Sequence, residues 1–370
     1  MNSTSNGFLM IRSFEIRNFR CYKRLHVEDC KRINVIVGDN GSGKTALLEA
    51  IFMTLASSTE VALRLRQHRG FDGFFQGTTS KIEKAFWGDY FYNGDTEGKR
   101  IEIVLSGDGP ENRSLQIAGL RDDGSLPFEG WPEVTRGPII FIWRNHKNEV
   151  FHSQPIIKNG KISLSETGED NPFFFHFGSL QIASSLENAD RFSELSRQNK
   201  HREFVTSFKN EYPLIDDMGI EVSAGSAAIF AKINGSSRKI PLTSLSGSIN
   251  RVVSILLSIA SSDQRSAVLT IDEIENGVYY KHQEAMWRQL LRLSYEKEAQ
   301  IFATTHSLEC LYALAEAARK ENQIDEIAVW RVQRDENGEP QLLQFRGSAL
   351  ASTATFQGEI RSGASGDEDE

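Results

Sequence analysis

The chain has 370 residues, 39 % of them apolar and 25 % charged, enough for one large domain or two moderate ones with a sizeable core. Its 42 Lys and Arg against 50 Asp and Glu leave a net charge of −8, which argues against coating nucleic acid with the whole surface but leaves a local basic patch open. Cys21, Cys30 and Cys310 are odd in number and form no CxxC pair. They read as reduced thiols of a cytoplasmic protein, not a disulfide framework or a zinc site.

No apolar run reaches the length of a membrane span. The most apolar stretch, Val252 to Ala260, reads as a buried helix, and residues 1–7 lack a signal-peptide core. The expected location is the cytoplasm, with no membrane partner.

In chain order, Met10 to Phe19 (MIRSFEIRNF) alternates apolar and polar residues, the pattern of a half-buried antiparallel strand. Ile33 to Val37 is a continuous apolar run that suits a strand buried on both faces. It opens into Gly38-Asp39-Asn40-Gly41-Ser42-Gly43-Lys44-Thr45, and Ala46 to Leu55 is rich in helix formers. This is a full GxxxxGK[ST] between a strand and a helix. Glycines let the backbone wrap phosphates with its N–H groups inward, and the helix adds its positive end. Lys44 is expected to reach the β- and γ-phosphates of ATP, and the Thr45 hydroxyl to bind Mg²⁺.

Residues 61–240 are harder to read. Ile101 to Leu105 and Pro138 to Trp143 look like strands. Ser179 to Ser207 looks like polar helix with basic residues Arg197, Lys200, His201 and Arg202. Ile220 to Ile240 holds two strands around a Gly-Ser turn at 235–237. No sustained heptads and no internal repeats are seen, so a long coiled-coil arm is not expected.

From residue 241 the α/β alternation is clear: helix at Ser248–Ala260, strand at Ala267–Ile271, helix at His282–Glu296, strand at Gln300–Ala303, helix at Leu308–Lys320, strand at Ile327–Val332. The Ala267–Ile271 strand delivers Asp272 to hold Mg²⁺ through water, and Glu273 to orient or deprotonate an attacking water. Ile301 to Ser307 ends a strand in small polar residues and His306, placed to sense a γ-phosphate. Ser246, Gly247 and Ser248 open an apolar helix. From spacing alone they read as an N-cap by Ser246 or Ser248, with an anion site serving a second protomer's nucleotide as the alternative. The C-terminal extension, 336–361, ends in a small-residue, acidic tail, 362–370, expected to be disordered.

The order of these motifs resembles the ABC-type ATPases of the SMC, RecF and OLD group, often called AAA-family ATPases. IRSFEIRNFRCYKRL, INVIVGDNGSGKTALLEAIF, LSGSINRVVSILLSIA, AVLTIDEIENGVYYKHQEAMWRQLL and QIFATTHSLECLYAL carry the likeness. It covers residues 10–55 and 240–332. The resemblance implies an α/β fold: a P-loop NTPase with an ABC-type head, a mostly parallel sheet flanked by helices, an antiparallel β subdomain at its start, and a helical or mixed insertion. The implied division is an ATPase lobe with the phosphate loop (1–60), the rest of that lobe plus a variable insertion (61–240), and a signature, Walker B and switch-His lobe (241–335).

By the same resemblance, Gly38, Asn40, Gly41, Ser42, Gly43, Lys44 and Thr45 bind nucleotide, Asp272 binds metal, Glu273 is the catalytic base and His306 the switch. Ser246, Gly247 and Ser248 would touch the partner's γ-phosphate, so two chains would sandwich two ATP molecules with Glu275-Asn276-Gly277 at the seam. Gln76 reads first as a plain loop residue, with the Q-loop glutamine near the metal as the alternative. Two departures stand out: Ser248 where relatives usually have Gly, and Tyr279 where many have His.

Stand-alone ATPases of this kind resemble subunits of anti-phage defence systems, such as the PARIS ATPase, paired with a separately encoded effector, often a TOPRIM-type nuclease. Little room for a TOPRIM domain follows residue 335. The expected function is an ATPase that closes as a homodimer or larger oligomer around ATP and regulates such an effector. The alternative is a RecF- or SMC-like DNA-repair clamp, using Arg64, Arg66, His68 and Arg69, or Arg197, Lys200 and Arg202, to hold nucleic acid. For both clusters a solvated helical face is the favoured reading.

Overall fold

Alternate burial along β1 (Ile11–Phe19) follows its alternating sequence, and the chain reverses at Arg20 to pair it antiparallel with β2 (Tyr22–Val27). The computed structural model describes residues 10–347 except 57, 69–86, 95, 97–98, 108, 120–138, 159–160, 165–173, 180–183, 224, 263–266 and 337. It divides into two units: Met1–Lys31, Ile36–His176 and Trp330–Gln344 form the first, and Arg32–Val35, Phe177–Val329 and Phe345–Glu370 the second.

After β3 (Ile33–Val37), buried at every residue, come α1 (Lys44–Ala56), α2 (Thr59–His68), β4 (Arg100–Gly107), β5 (Arg113–Gly119), β6 (Ile139–Arg144), β7 (Val150–Ser153), the hairpin β8 (Pro155–Lys158) and β9 (Lys161–Leu164), and β10 (Phe174–Phe177). The first unit is built on the sheet β2-β1-β4-β5-β6-β7, antiparallel throughout. Helix α1 is buried along nearly its whole length, and the Trp143 indole of β6 donates to the Met53 carbonyl at 2.9 Å. A buried pair, Arg20 to Glu49 at 2.7 Å, ties the β1–β2 turn to α1. The Tyr90 ring lies between the guanidiniums of Arg20 and Arg66, 4.7 and 4.6 Å from its centroid.

The second unit contains α3 (Ser185–Arg197), α4 (His201–Glu211), β11 (Ile215–Ser223), β12 (Ser226–Ile233), β13 (Lys239–Pro241), a single turn at Leu242–Leu245, α5 (Gly247–Ala260), β14 (Val268–Ile271), α6 (Tyr280–Glu296), β15 (Gln300–Thr304) and α7 (Leu308–Lys320). β16 (Ile327–Arg334) and β17 (Pro340–Arg346) follow. The second large sheet has the order β10-β14-β15-β3-β16-β17, with β14 and β15 parallel. β11, β12 and β13 form a separate antiparallel sheet. The Asn188 amide on α3 donates to Ser254 Oγ on α5 at 2.7 Å, a buried polar tie between the two helices.

The continuous helix expected at Ser179–Ser207 is two helices. Asn199 takes a left-handed backbone, φ +58°. Lys200 N then bonds to Leu195 O and Asn199 N to Ser196 O, a Schellman ending that asparagine accepts at low cost. The turn at 235–237 does separate two strands, β12 and β13, but a third strand, β11, starts upstream at Ile215. The region 61–240 is richer in strand than its sequence suggests, because β5 and β7 to β10 are short and weakly patterned.

Candidate nucleotide site

The phosphate loop belongs to the first unit. Gly38 and Gly43 hold φ of +145° and +116°, and a side chain would collide at both. A Cβ on Gly38 would meet Val332 O at 2.7 Å, and one on Gly43 would meet Cys21 Sγ and Tyr22 Oη at 2.7 and 2.8 Å. The Tyr22 hydroxyl donates to Gly43 O at 3.1 Å, so the β1–β2 turn braces the loop. Burial raises the pKa values of the Tyr22 phenol and the Cys21 thiol. Lys44 Nζ donates to Gly38 O at 2.8 Å and Asp39 O at 2.9 Å. Ser42 Oγ is buried without a hydrogen-bond partner among the described residues. A buried hydroxyl lacking a partner beside a lysine that closes the loop on its own carbonyls is a donor set that suits a polyphosphate.

The acidic residues belong to the second unit. Strand β14 ends at Ile271 and delivers Asp272, which is buried. Thr304 Oγ1, at the end of β15, donates to Asp272 Oδ1 at 2.6 Å and accepts from Glu273 N at 2.8 Å. One hydroxyl therefore fixes the carboxylate of one residue and the backbone of the next. Glu273 has φ +47°, a left-handed conformation that is rare for a glutamate. The Glu275 carboxylate accepts from His306 N at 3.1 Å and lies 3.3 Å from His306 Nδ1. The His306 side chain is nevertheless 55 % exposed, so its ring is anchored at one nitrogen with a face left to solvent. Ser307 caps α7 by accepting from Cys310 N. The Cys310 thiol receives the Trp287 N–H and is pushed up to about 12 by burial, the behaviour of an inert core thiol.

Ser246 caps α5, accepting from Ile249 N, and its hydroxyl lies 2.7 Å from that of Ser248. A Cβ on Gly247 would meet nothing within 4 Å, whereas one on Gly277 would lie 4.0 Å from Ser248. The Glu275-Asn276-Gly277 turn therefore sits beside the signature serines of its own chain. Arg251, one helical turn along α5, is buried. It donates to Asp272 O at 2.7 Å, Gly178 O at 3.0 Å, and Glu273 O and Ser179 O at 3.3 Å. Burial lowers its pKa from the usual value, opposed by the charges of Asp272, Glu273 and Glu275.

Within the second unit, Asp272, Glu273, His306, Ser246, Gly247 and Ser248 fall at the strand ends and helix start expected of them, and Gly38 to Thr45 form the loop of the first unit. Gln76, Arg69 and the 362–370 tail lie outside the described residues. In one proposed basic face the side chains of Arg64 and His68 also lie outside those described, and Arg66 is corrected: its side chain is buried and paired with Asp89. In the other, Arg197 is tied to Glu194. Thr304 and Arg251 were not read from the sequence as parts of the site, and Glu275 was expected at the seam but not as the partner of His306. Threonine before the Thr305-His306 pair was the one available signal, since a polar residue closing a buried strand needs a partner.

Residues 33–311 match the model of the family described as "AAA domain, putative AbiEii toxin, Type IV TA system". The chain belongs to this AAA-domain family. Among curated relatives, it is 20 % identical to an ATP/GTP phosphatase of Helicobacter pylori over 88 % of this chain and 93 % of that protein. It is 42 % identical to the DNA replication and repair protein RecF of Thermomicrobium roseum over 32 % of this chain and 29 % of that protein, and 25 % identical to Structural maintenance of chromosomes protein 6 of Saccharomyces cerevisiae over 55 % and 18 %. The chain thus spans nearly all of the first relative and under a third of the other two. The fold is similar to an SMC head, in the crystal structure of the SmcHead bound to the C-winged helix domain of ScpA, with TM-score 0.51, 15 % identity, and coverage of 91 % of this chain and 97 % of that one. The AAA-domain family supports ATP hydrolysis by this protein, and its fold is that of an SMC head. Among the described residues, no helix is long and apolar enough to cross a membrane.

Proposed function

We propose that this ATPase binds Mg-ATP on Gly38–Thr45, hydrolyses it with Glu273 as base, and closes as a dimer or larger assembly that regulates a separately encoded effector in anti-phage defence. The observation that carries the catalytic part is the Thr304 hydroxyl, bonded both to Asp272 Oδ1 and to Glu273 N. It fixes a metal-facing carboxylate and a base in one frame, which is how a site orients water without reorganising during reaction. Lys44 would exchange its two carbonyl partners for β- and γ-phosphate oxygens, and Ser42 would gain the partner it lacks. Thr45 and Asp272 would hold Mg²⁺, which supplies charge neutralisation at the phosphates. Glu273 takes the proton of the attacking water, and His306, steadied by Glu275, donates toward the γ-phosphate. Ser246, Gly247 and Ser248 serve the second protomer's nucleotide. The open space over Gly247 supports that role, and the Ser246–Ser248 bond orients both hydroxyls despite the serine where relatives have Gly.

The family description, which names a putative AbiEii toxin and a Type IV TA system, supports action alongside a second gene product. The similar SMC head bound to a ScpA domain supports a protein partner in general. The RecF-like clamp, suggested by the RecF and SMC relatives, loses Arg66, whose buried side chain is paired with the half-exposed Asp89. DNA binding that requires ATP and falls steeply with salt is its test.

The test of the ATPase reading is a pair of variants. Lys44→Ala is expected to lose Mg-ATP binding. Glu273→Gln is expected to bind ATP, hydrolyse it at least about 100-fold more slowly, and accumulate as a closed assembly by size-exclusion chromatography with light scattering. Native hydrolysis by Glu273→Gln removes the base assignment. Phage challenge with and without the neighbouring genes then tests the defence role.

A further inference from the structure

Among the described residues, no carboxylate is bonded to the Arg251 guanidinium. The hydrogen bonds recorded for it all end on backbone carbonyls, those of Gly178, Ser179, Asp272 and Glu273. A buried cation held in this way is stable only while those carbonyls converge on it, because each one lost leaves charge desolvated and unpaired. Two of the four are the carbonyls of the acidic pair itself. One belongs to Glu273, whose left-handed backbone at φ +47° is strained and persists only if its surroundings hold it. The guanidinium donates to the Glu273 carbonyl, while Thr304 Oγ1 accepts from the Glu273 N–H, so both peptides flanking the strained residue are held. The two together fix the direction in which the Glu273 carboxylate leaves the backbone.

Arg251 also lies on α5, one turn beyond Ser246, Gly247 and Ser248. The same rigid helix therefore carries the segment assigned to a second protomer's nucleotide at its tip and a clamp on its own chain's base one turn later. We infer that Arg251 is a positioning residue that couples the two nucleotide sites of the closed dimer: the placement of α5 against the partner's phosphate sets the geometry of Glu273 toward the nucleotide of its own chain. This inference rests on the proposed ATP-sandwich reading. Its consequence is that hydrolysis rises cooperatively with ATP, because each site's base is aligned by occupancy of the other.

The test uses the full chain and Mg-ATP, with Arg251→Lys and Arg251→Gln beside the native protein. Thermal melting selects a folded variant, and Arg251→Lys keeps the charge while losing the fork that spans several carbonyls. Three quantities are read: ATP-driven dimerisation, kcat against KM, and the Hill coefficient of hydrolysis. The native protein is expected to dimerise on ATP with a Hill coefficient above 1. The folded variant is expected to dimerise at similar ATP, to keep KM within about twofold, to lose ~10- to 100-fold in kcat, and to show a Hill coefficient near 1. A merely structural arginine would lower kcat and dimerisation together and leave the Hill coefficient unmoved, and that result overturns the inference. So does Arg251→Lys with native kcat and cooperativity, or a native dimer that hydrolyses without cooperativity. If native protein and Glu273→Gln both stay monomeric in ATP, it is the sandwich reading that has failed, and the intersite coupling falls with it.

Discussion

Gly41 and Gly43 lie two residues apart in one loop, and a methyl group separates their roles. At Gly43 a Cβ would press on Cys21 Sγ and the Tyr22 hydroxyl, whereas at Gly41, φ +75°, it would meet nothing within 4 Å. Gly41→Ala is expected to cost the folded chain only the left-handed penalty, about 1 kcal/mol, and to weaken Mg-ATP binding less than Gly43→Ala does. Gly43→Ala adds a collision with a packed turn and is expected to cost more than about 2 kcal/mol and to weaken nucleotide binding at least tenfold. Melting curves and nucleotide titration separate the two. A second residue-scale prediction concerns Thr304. Thr304→Val keeps the shape but leaves Asp272 Oδ1 and Glu273 N without their shared hydroxyl, so kcat should fall ~10- to 100-fold with KM little changed. Thr304→Ser should restore most of the rate. The positions of Lys44 at the start of α1 and of Asp272 and Glu273 just past β14 were legible in the sequence, from a glycine loop and a buried apolar run. Arg251 and Thr304 were not, because their partners are backbone carbonyls, a backbone N–H and a carboxylate more than twenty residues away, and no local pattern records such a meeting.

Elements were legible where burial imposes a period. The run Ile33–Val37, buried at every residue, and helix α7, whose bounds match the expectation, are of this kind. Helix endings were less so, because they turn on one residue's φ. After α3, α6 and α7 the chain closes by the same pair of bonds, with Asn199, Glu298 and Asn322 in the left-handed position. Asparagine fits there, and nothing in the polar run around Asn199 distinguishes it from helix. Glu298 is the poor fit, with φ +52° and a β-carbon that disfavours it. Glu298→Gly is expected to stabilise the chain by about 0.5–1 kcal/mol, visible as a higher denaturation midpoint with unchanged ATP turnover. A lower midpoint would mean that the glutamate side chain supplies more than the backbone loses.

On the scale of the whole molecule, the open signature tip and the exposed Tyr279 and Tyr280 beside the Glu275–Gly277 turn suit an assembly that forms around nucleotide. Such an assembly has a thermodynamic mark that single-chain binding lacks. A ligand that binds one folded chain raises its melting point by an amount set by ligand concentration alone, whereas a ligand sealed between two chains makes the melting point depend on protein concentration as well. With Glu273→Gln in saturating Mg-ATP, each tenfold rise in protein should therefore raise the melting point measurably, since dimer formation gains about 1.4 kcal/mol per tenfold in concentration. The same protein without nucleotide, and Lys44→Ala with it, should melt at a temperature independent of concentration. A nucleotide-induced rise that ignores protein concentration would leave an ATPase that works as a single chain, and the serines at the start of α5 would then return to being a helix cap.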